Sequence, residues 1–206
     1  MRLLREYIRQ LLTESAKGPA DLPDGVYVGI KNYGDNVAVY YSQADGKRLA
    51  ELSPPVGRVT VSKPGRSPHS AENPGSCLGS WQVISSQVSD GWGPLLYDVA
   101  MEVVGDAGIM ADRGSLSDDA YNVWKYYMYS RPDVVKKQLD TPDNELTPDN
   151  IDNCDADSAR DHDDAFDFYH DDEKKQAVLD SPVMKVYTKG PSTIQELESM
   201  GRLVRA

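Results

Sequence analysis

The feature that most constrains this chain is an apolar run, Trp81-Gln82-Val83-Ile84-Ser85-Ser86-Gln87-Val88, joined through Gly91-Trp92-Gly93-Pro94 to Leu96, Val99, Ala100 and Val103. A short apolar run bounded by turn residues reads as a strand, and apolar positions recurring every three or four residues read as a helix. Pro94 stands at the first helical position, where its fixed φ is favourable and its missing N–H costs nothing. Gly105 and Gly108 end the helix, and Ile109-Met110-Ala111 resumes as a strand, so the segment spells a β-α-β crossover with parallel strands. A helix start offers unpaired backbone N–H groups, and glycines let a ligand approach the backbone closely, which is the layout of an anion cradle. A Gly-x-Gly turn also joins strand to helix with no ligand at all, so both readings stay open here.

The flanking sequence supplies the rest of a sheet. Val26, Val28 and Ile30 alternate with Tyr27, Gly29 and Lys31, and Val37, Val39 and Tyr41 alternate with Ala38 and Tyr40 across a Tyr33-Gly34-Asp35-Asn36 turn. Ala44-Asp45-Gly46-Lys47 is a second turn leading towards Leu49 and Leu52, and Val59 with Val61 marks a further strand, so an antiparallel meander precedes the crossover. Residues 62–80 carry Pro64, Gly65, Pro68, Pro74 and Gly75 and read as a long surface loop, a candidate lid. After the crossover, Ser117 caps a helix with Asp118 and Asp119 at its positive end and an apolar face of Val123, Trp124, Tyr127 and Met128, stopped by Arg131-Pro132. Pro182-Val183-Met184-Lys185-Val186-Tyr187 restores a strand, and Ser192-Thr193-Ile194-Gln195 reads as a capping-box start for a helix that Gly201 ends. The organisation expected is a helix over 1–15, a linker over 16–24, a principal α/β (α+β) domain over 25–139, an acidic irregular segment over 140–175, and a strand and helix over 176–206 packing on that domain.

With 206 residues and a net charge of −11, the chain suits one principal domain and repels phosphate backbones and anionic lipid, so neither nonspecific nucleic-acid binding nor a membrane surface is expected. No apolar run approaches the ~20 residues that span a bilayer. Cys77 and Cys154 make neither a disulfide framework nor a zinc pattern; two unpaired thiols suit a reducing compartment, and two thiols also allow one bridge. His162 and His170 beside Cys154 have no zinc-ligand spacing, and Asp149, Asp152, Asp155, Asp157 and Asp161 lack the glycine and terminal glutamate of an EF-hand, so no metal is expected. No Gly-x-Ser-x-Gly elbow supports a hydrolase.

At the N-terminus, Leu3, Leu4, Tyr7, Ile8, Leu11 and Leu12 share one helical face, with Arg2, Arg5, Glu6, Arg9 and Gln10 opposite. Its length and charges fit neither a secretory signal nor a transit peptide, and so short a helix needs a surface to lie on. The stretch Met1-Arg2-Leu3-Leu4-Arg5-Glu6-Tyr7-Ile8-Arg9-Gln10-Leu11-Leu12-Thr13-Glu14 resembles the capsid-targeting leaders of large tailed bacteriophages. Such leaders bind the scaffold of the assembling head and are cut after Leu-x-Glu, which here is Leu12-Thr13-Glu14, before Ser15. The resemblance implies scaffold or capsid proteins as partners and the virion interior, then the host cytoplasm, as location.

The order of meander, strand, glycine turn, helix, strand and helix over residues 26–131 resembles the GNAT (N-acetyltransferase) superfamily. In that family a Gln/Arg-x-x-Gly-x-Gly/Ala loop binds the pyrophosphate of acetyl-CoA, and the corresponding loop here is Val88-Ser89-Asp90-Gly91-Trp92-Gly93. Val88 replaces the expected Gln or Arg, and Asp90 adds negative charge. The family's Ala-x-x-x-Tyr element corresponds to Ala120-Tyr121-Asn122-Val123-Trp124, with Trp124 in place of the tyrosine that protonates the departing thiolate. Tyr127, a turn further along, is the candidate acid, though its apolar neighbours also suit a core aromatic. Asp112-Arg113 follows the second crossover strand near where family members bind substrate, and reads equally as a surface ion pair. Two functions follow: acetyl transfer from acetyl-CoA to an amine, or a catalytically degenerate protein packaged in the phage head for a structural or host-interacting role.

Overall fold

A computed structural model of the protein describes residues 16–43, 55–63, 77–112, 116–140, 146, 151–154 and 171–206, the side chains of 171–175 excepted. The leader with Leu12, Glu14 and Ser15, the turn at Ala44-Asp45-Gly46-Lys47, most of the 62–80 loop, Arg113, His162 and His170 lie outside the described residues.

The described chain forms a mixed α/β fold built on one eight-stranded sheet. Strands β1 (Tyr27–Asn32), β2 (Asn36–Ser42), β3 (Gly57–Ser62) and β4 (Trp81–Val88) make the expected antiparallel meander. Helix α1 (Gly93–Val104) crosses over to β5 (Ile109–Met110), which lies parallel to β4. Helix α2 (Asp118–Ser130) follows, capped by Ser117 Oγ accepting from the Ala120 amide at 3.3 Å. Then come β6 (Val135–Gln138), α3 (Asp171–Asp180), β7 (Lys185–Thr188), α4 (Ser192–Ser199) and β8 (Leu203–Arg205). The spatial order is β6-β7-β5-β4-β3-β2-β1-β8, so the C-terminal strands build both edges of the sheet.

The hydrophobic pattern explains the layering. Val28, Ile30, Val37, Val39, Val59 and Val61 are buried in the sheet's core, and α1 covers β2 and β3 with an apolar stretch, Leu95 to Met101, broken only by Asp98. Gly108 has φ of +69°, and a Cβ there would meet Thr188 Cγ2 and Val186 Cγ1 at 2.6 Å. Only glycine lets β7 close against the entry to β5, because both the left-handed backbone and the space demand it.

Several elements depart from the sequence expectation. The 16–24 segment is packed: Leu22 is buried, Pro19–Asp21 form a 3-10 turn, and the Lys17 amide donates to Gly91 O at 2.9 Å. β6 and β8 carry only three or four residues each, too short to show a period of two, and α3 occupies the end of the segment expected to be irregular. β7 starts at Lys185, later than Pro182. The expected capping box at Ser192 does not form. Pro191 occupies the N-cap, and the Thr193 and Ile194 amides donate instead to Glu102 Oε1 and Oε2 at 2.8 and 2.7 Å. A carboxylate on α1 offers two acceptor oxygens and outcompetes the local hydroxyl. Cys77 and Cys154 are joined in a buried disulfide, which corrects the reading of two unpaired thiols. Their separation of 77 positions conceals the pairing from local sequence.

Lys185 is buried at the start of β7, donating to Leu179 O at 2.7 Å and to Gln138 Oε1. Burial pushes its ammonium down to about 8, against a weaker pull from Asp180. An unfolded lysine keeps its proton to about 10.4, so between these values the unfolded chain binds more protons and stability rises with pH. Urea unfolding at pH 7, 8 and 9 therefore gives increasing stability, and Lys185→Met flattens the rise; an unchanged slope in the variant contradicts the assignment.

Candidate functional site

β4 and β5 pair at only two positions, Trp81 with Ile109 and Gln82 with Met110. Beyond them β4 runs on for six residues with β3 alone beside it, and its register with β3 slips between Thr60 and Val61. A bulge of that kind bends a strand and increases its twist, and the parallel ladder itself stops where β5 ends, at Met110. Beside the open edge of β4 lies a wedge-shaped space, walled on its other side by Asp112 and α2 and opening towards the start of α1.

Two adjoining cavities fill this wedge and share Ser86, Ser117 and Ala120 in their walls. The inner one, about 70 Å³, lies at the narrow end among Val83, Leu116, Trp124, Asp112 and Tyr97. The outer one, about 410 Å³, runs past Gln87 to the glycine turn and is walled on the far side by α2 through Asn122, Val123 and Tyr126.

The turn is held firmly. The Trp92 amide donates to Ser89 O at 3.1 Å with Gly91 at φ of +77°, and Ser89 Oγ both accepts from the Val56 amide and donates to Val56 O, each at 2.9 Å. Among the described residues no side chain caps α1, so the first-turn amides of a twelve-residue helix, apart from Pro94, which has none, are left to solvent or a ligand. A Cβ on Gly93 would meet only Val123 Cγ2, at 3.8 Å, so the cleft is open at this point.

Of the loop residues expected at the cofactor, Val88, Ser89, Asp90, Gly91 and Gly93 line the outer cavity. Trp92 does not: its ring is buried edge-on against Tyr41 at 5.7 Å, and its carbonyl accepts from the Tyr41 hydroxyl at 2.8 Å. Tyr127 lines neither cavity. Its Oη lies 2.7 Å from Asp98 Oδ1 and 2.8 Å from Pro94 O, and Asp98 is in turn gripped by both terminal nitrogens of Arg131 at 2.9 and 2.8 Å. Burial, then the Asp98 charge, push the Tyr127 phenol well above the usual tyrosine range. This buried network ties the start of α1 to the end of α2 and gives Tyr127 the part of a strut. Trp124, at the family's tyrosine position, packs edge-on against Tyr97 and tilted on Tyr187.

Two further residues enter the site. Asp112, read from the sequence both as lying near a substrate and as half of a surface ion pair, is buried in the inner cavity and accepts from Gln82 Nε2 at 3.1 Å. Tyr97 is fully buried, and its hydroxyl has no hydrogen-bond partner among the described residues. The signal for Tyr97 was a lone hydroxyl in an otherwise apolar helical run, which demands a polar neighbour somewhere in the interior. Electrostatically, Asp90 and Asp119 line the outer cavity and no Lys, Arg or His does among the described residues. Those residues contain no His, Cys, Asp and Glu cluster able to hold a metal and no helix long and apolar enough to cross a membrane.

Compared with known proteins, the chain matches no family model, no curated protein and no solved structure.

Proposed function

We propose that the cleft binds acetyl-CoA and that the protein is an N-acetyltransferase-like enzyme passing the acetyl group to an amine. The observation that carries this reading is the short β4–β5 ladder, which leaves the edge of β4 open beside two adjoining cavities that run from Asp112 to a helix start with no side-chain cap among the described residues. The residues fit the cofactor through their backbone. Gly91, Gly93 and the first turn of α1 hold the pyrophosphate, as helix N-termini hold anions, and the open edge of β4 from Val83 to Val88 accompanies the pantetheine arm. Acetyl-CoA supplies an activated thioester. Asp112, in the wedge, is the carboxylate placed to hold the ammonium of an acceptor and to take up a proton from it. The absence of basic side chains in the described lining, together with Asp90 and Asp119, keeps the affinity modest and dependent on backbone amides. With the phage-type leader at residues 1–15, the enzyme is carried in the virion interior and released into the host cytoplasm, with scaffold or capsid proteins as its packaging partners.

A second reading is favoured by the substituted acid position: Trp124 is locked in an aromatic cluster and Tyr127 in an ion-pair network. There the fold is catalytically degenerate and acts as a structural or host-interacting protein packaged in the head. Calorimetric titration with acetyl-CoA separates the two. Micromolar binding by the native chain, weakened more than tenfold in Gly93→Glu, supports the enzyme, because that position has room for a side chain and the new carboxylate faces the phosphates. Silence at millimolar acetyl-CoA removes it.

A further inference from the structure

We propose that the Tyr97 hydroxyl recognises the acyl group, donating a hydrogen bond to the thioester carbonyl oxygen at the narrow end of the wedge beside β4. The inference rests on the acetyl-CoA reading above and adds to it the residue that selects an acylated cofactor.

Tyr97 has a fixed ring and an unspent donor. The ring is held edge-on by Trp124 at 5.4 Å and tilted against Tyr127 at 6.2 Å, so it cannot swing to another position. Its hydroxyl, on a residue with no exposed surface, has no hydrogen-bond partner among the described residues. Buried hydroxyls find partners in the great majority of protein interiors, and an orphan beside a cavity calls for an acceptor that arrives from outside. Of the other polar groups lining the inner cavity, Asp112 is engaged by Gln82, Ser117 Oγ accepts from the Ala120 amide, and Ser86 lies beside the Tyr97 hydroxyl without a bond of normal geometry.

The cavity defines the acceptor. At about 70 Å³ it takes a group of a few heavy atoms, and its walls mix Val83, Leu116, Ala120 and Trp124 with Ser85, Ser86, Ser117 and Asp112. A short acyl group matches that volume, and its one carbonyl oxygen gives the fully buried Tyr97 hydroxyl an acceptor. Burial pushes the phenol up to about 12, with a weaker opposing pull from Ser86, so at neutral pH the group remains a donor. The outer cavity then carries the remainder of the cofactor towards the glycine turn, which fixes its polarity: acyl end in the wedge, phosphates at α1.

The test pairs acetyl-CoA with the ethyl thioether of CoA, which has nearly the same size and lacks the carbonyl oxygen. Titrated calorimetrically into the full chain, acetyl-CoA binds about tenfold more tightly than the thioether, the discrimination one hydrogen bond gives. In Tyr97→Phe the preference disappears while thioether binding is unchanged, and the unliganded variant melts no lower than the native chain, since an unpartnered hydroxyl has left the core. Equal binding of the two ligands by the native chain overturns the proposal without needing the variant. A variant that keeps the preference overturns it too, and both outcomes leave the acetyl-CoA reading standing. Failure of the native chain to bind either ligand overturns proposal and reading together.

Discussion

Reduction of the Cys77–Cys154 disulfide lowers the stability of this fold by about 4 kcal/mol and its melting temperature by roughly 10 °C. The size follows from the loop: the bond joins residues 77 positions apart, and closing so long a loop removes much of the unfolded chain's freedom. The native state adds reasons of its own. Cys77 and Leu78 have φ of 45° and 56°, left-handed values that non-glycine residues adopt only under constraint. Their amides donate to Asn153 O at 3.1 Å and Ile151 O at 2.8 Å, and Cys154 packs 3.7 Å from the Met110 sulfur of β5. The bond therefore clamps the chain just before β4 begins, and on the acetyl-CoA reading proposed above its reduction also weakens cofactor binding. Thermal melts with and without a reductant check this, with Cys77→Ala/Cys154→Ala as control. The double variant melts like the reduced protein and ignores the reductant; equal melting of oxidised and reduced native chains rejects the prediction.

What the sequence disclosed divides along physical lines. The meander, the crossover and the glycine turn were legible because each rests on local information: a period of two, a period of three to four, and turn residues at fixed offsets. β4 runs from Trp81 to Val88 as expected, and Pro94 falls in the first turn of α1. Features set by distant partners stayed hidden. Ser192 looked like a helix cap because nothing nearby reveals that Glu102, 90 positions earlier, reaches the same amides. Asp112 read equally as a surface ion pair because its burial depends on the wedge, and no motif announces where the β4–β5 ladder beside it stops. Tyr127 was the candidate acid because it stands one turn along from Trp124, while its apolar neighbours suited a core aromatic. Which of its neighbours would receive the hydroxyl was set by Asp98 on another helix.

Replacing Glu102 with alanine costs about 4 kcal/mol, because one carboxylate carries two separate duties in the core. Its Oε1 accepts from Lys189 Nζ at 2.6 Å, and the two side chains retain 0% and 3% of their exposure, so the alanine variant strands an ammonium inside the protein. Ser192 Oγ and Thr193 Oγ1 also receive protons from Lys189 Nζ, but neither brings a compensating charge. The same carboxylate accepts from the Thr193 and Ile194 amides at the start of α4, and losing a cap of this kind costs about 1 kcal/mol. Glu102→Gln keeps one acceptor oxygen for part of the helix start, but it turns an NH2 towards the donors the other oxygen served and leaves Lys189 without a counter-charge, so it too is destabilised. Combining Glu102→Gln with Lys189→Met removes the stranded charge and restores part of the loss, a coupling read from urea unfolding of the four proteins. Strictly additive losses would mean that the ion pair contributes nothing beyond its packing. Because α4 leads directly into β8, which pairs with β1 at the sheet edge, the alanine variant also loosens that edge, seen as faster amide exchange at residues 203–205. The wedge lies on the other side of β1, β2 and β3, so acetyl-CoA affinity changes little while stability falls.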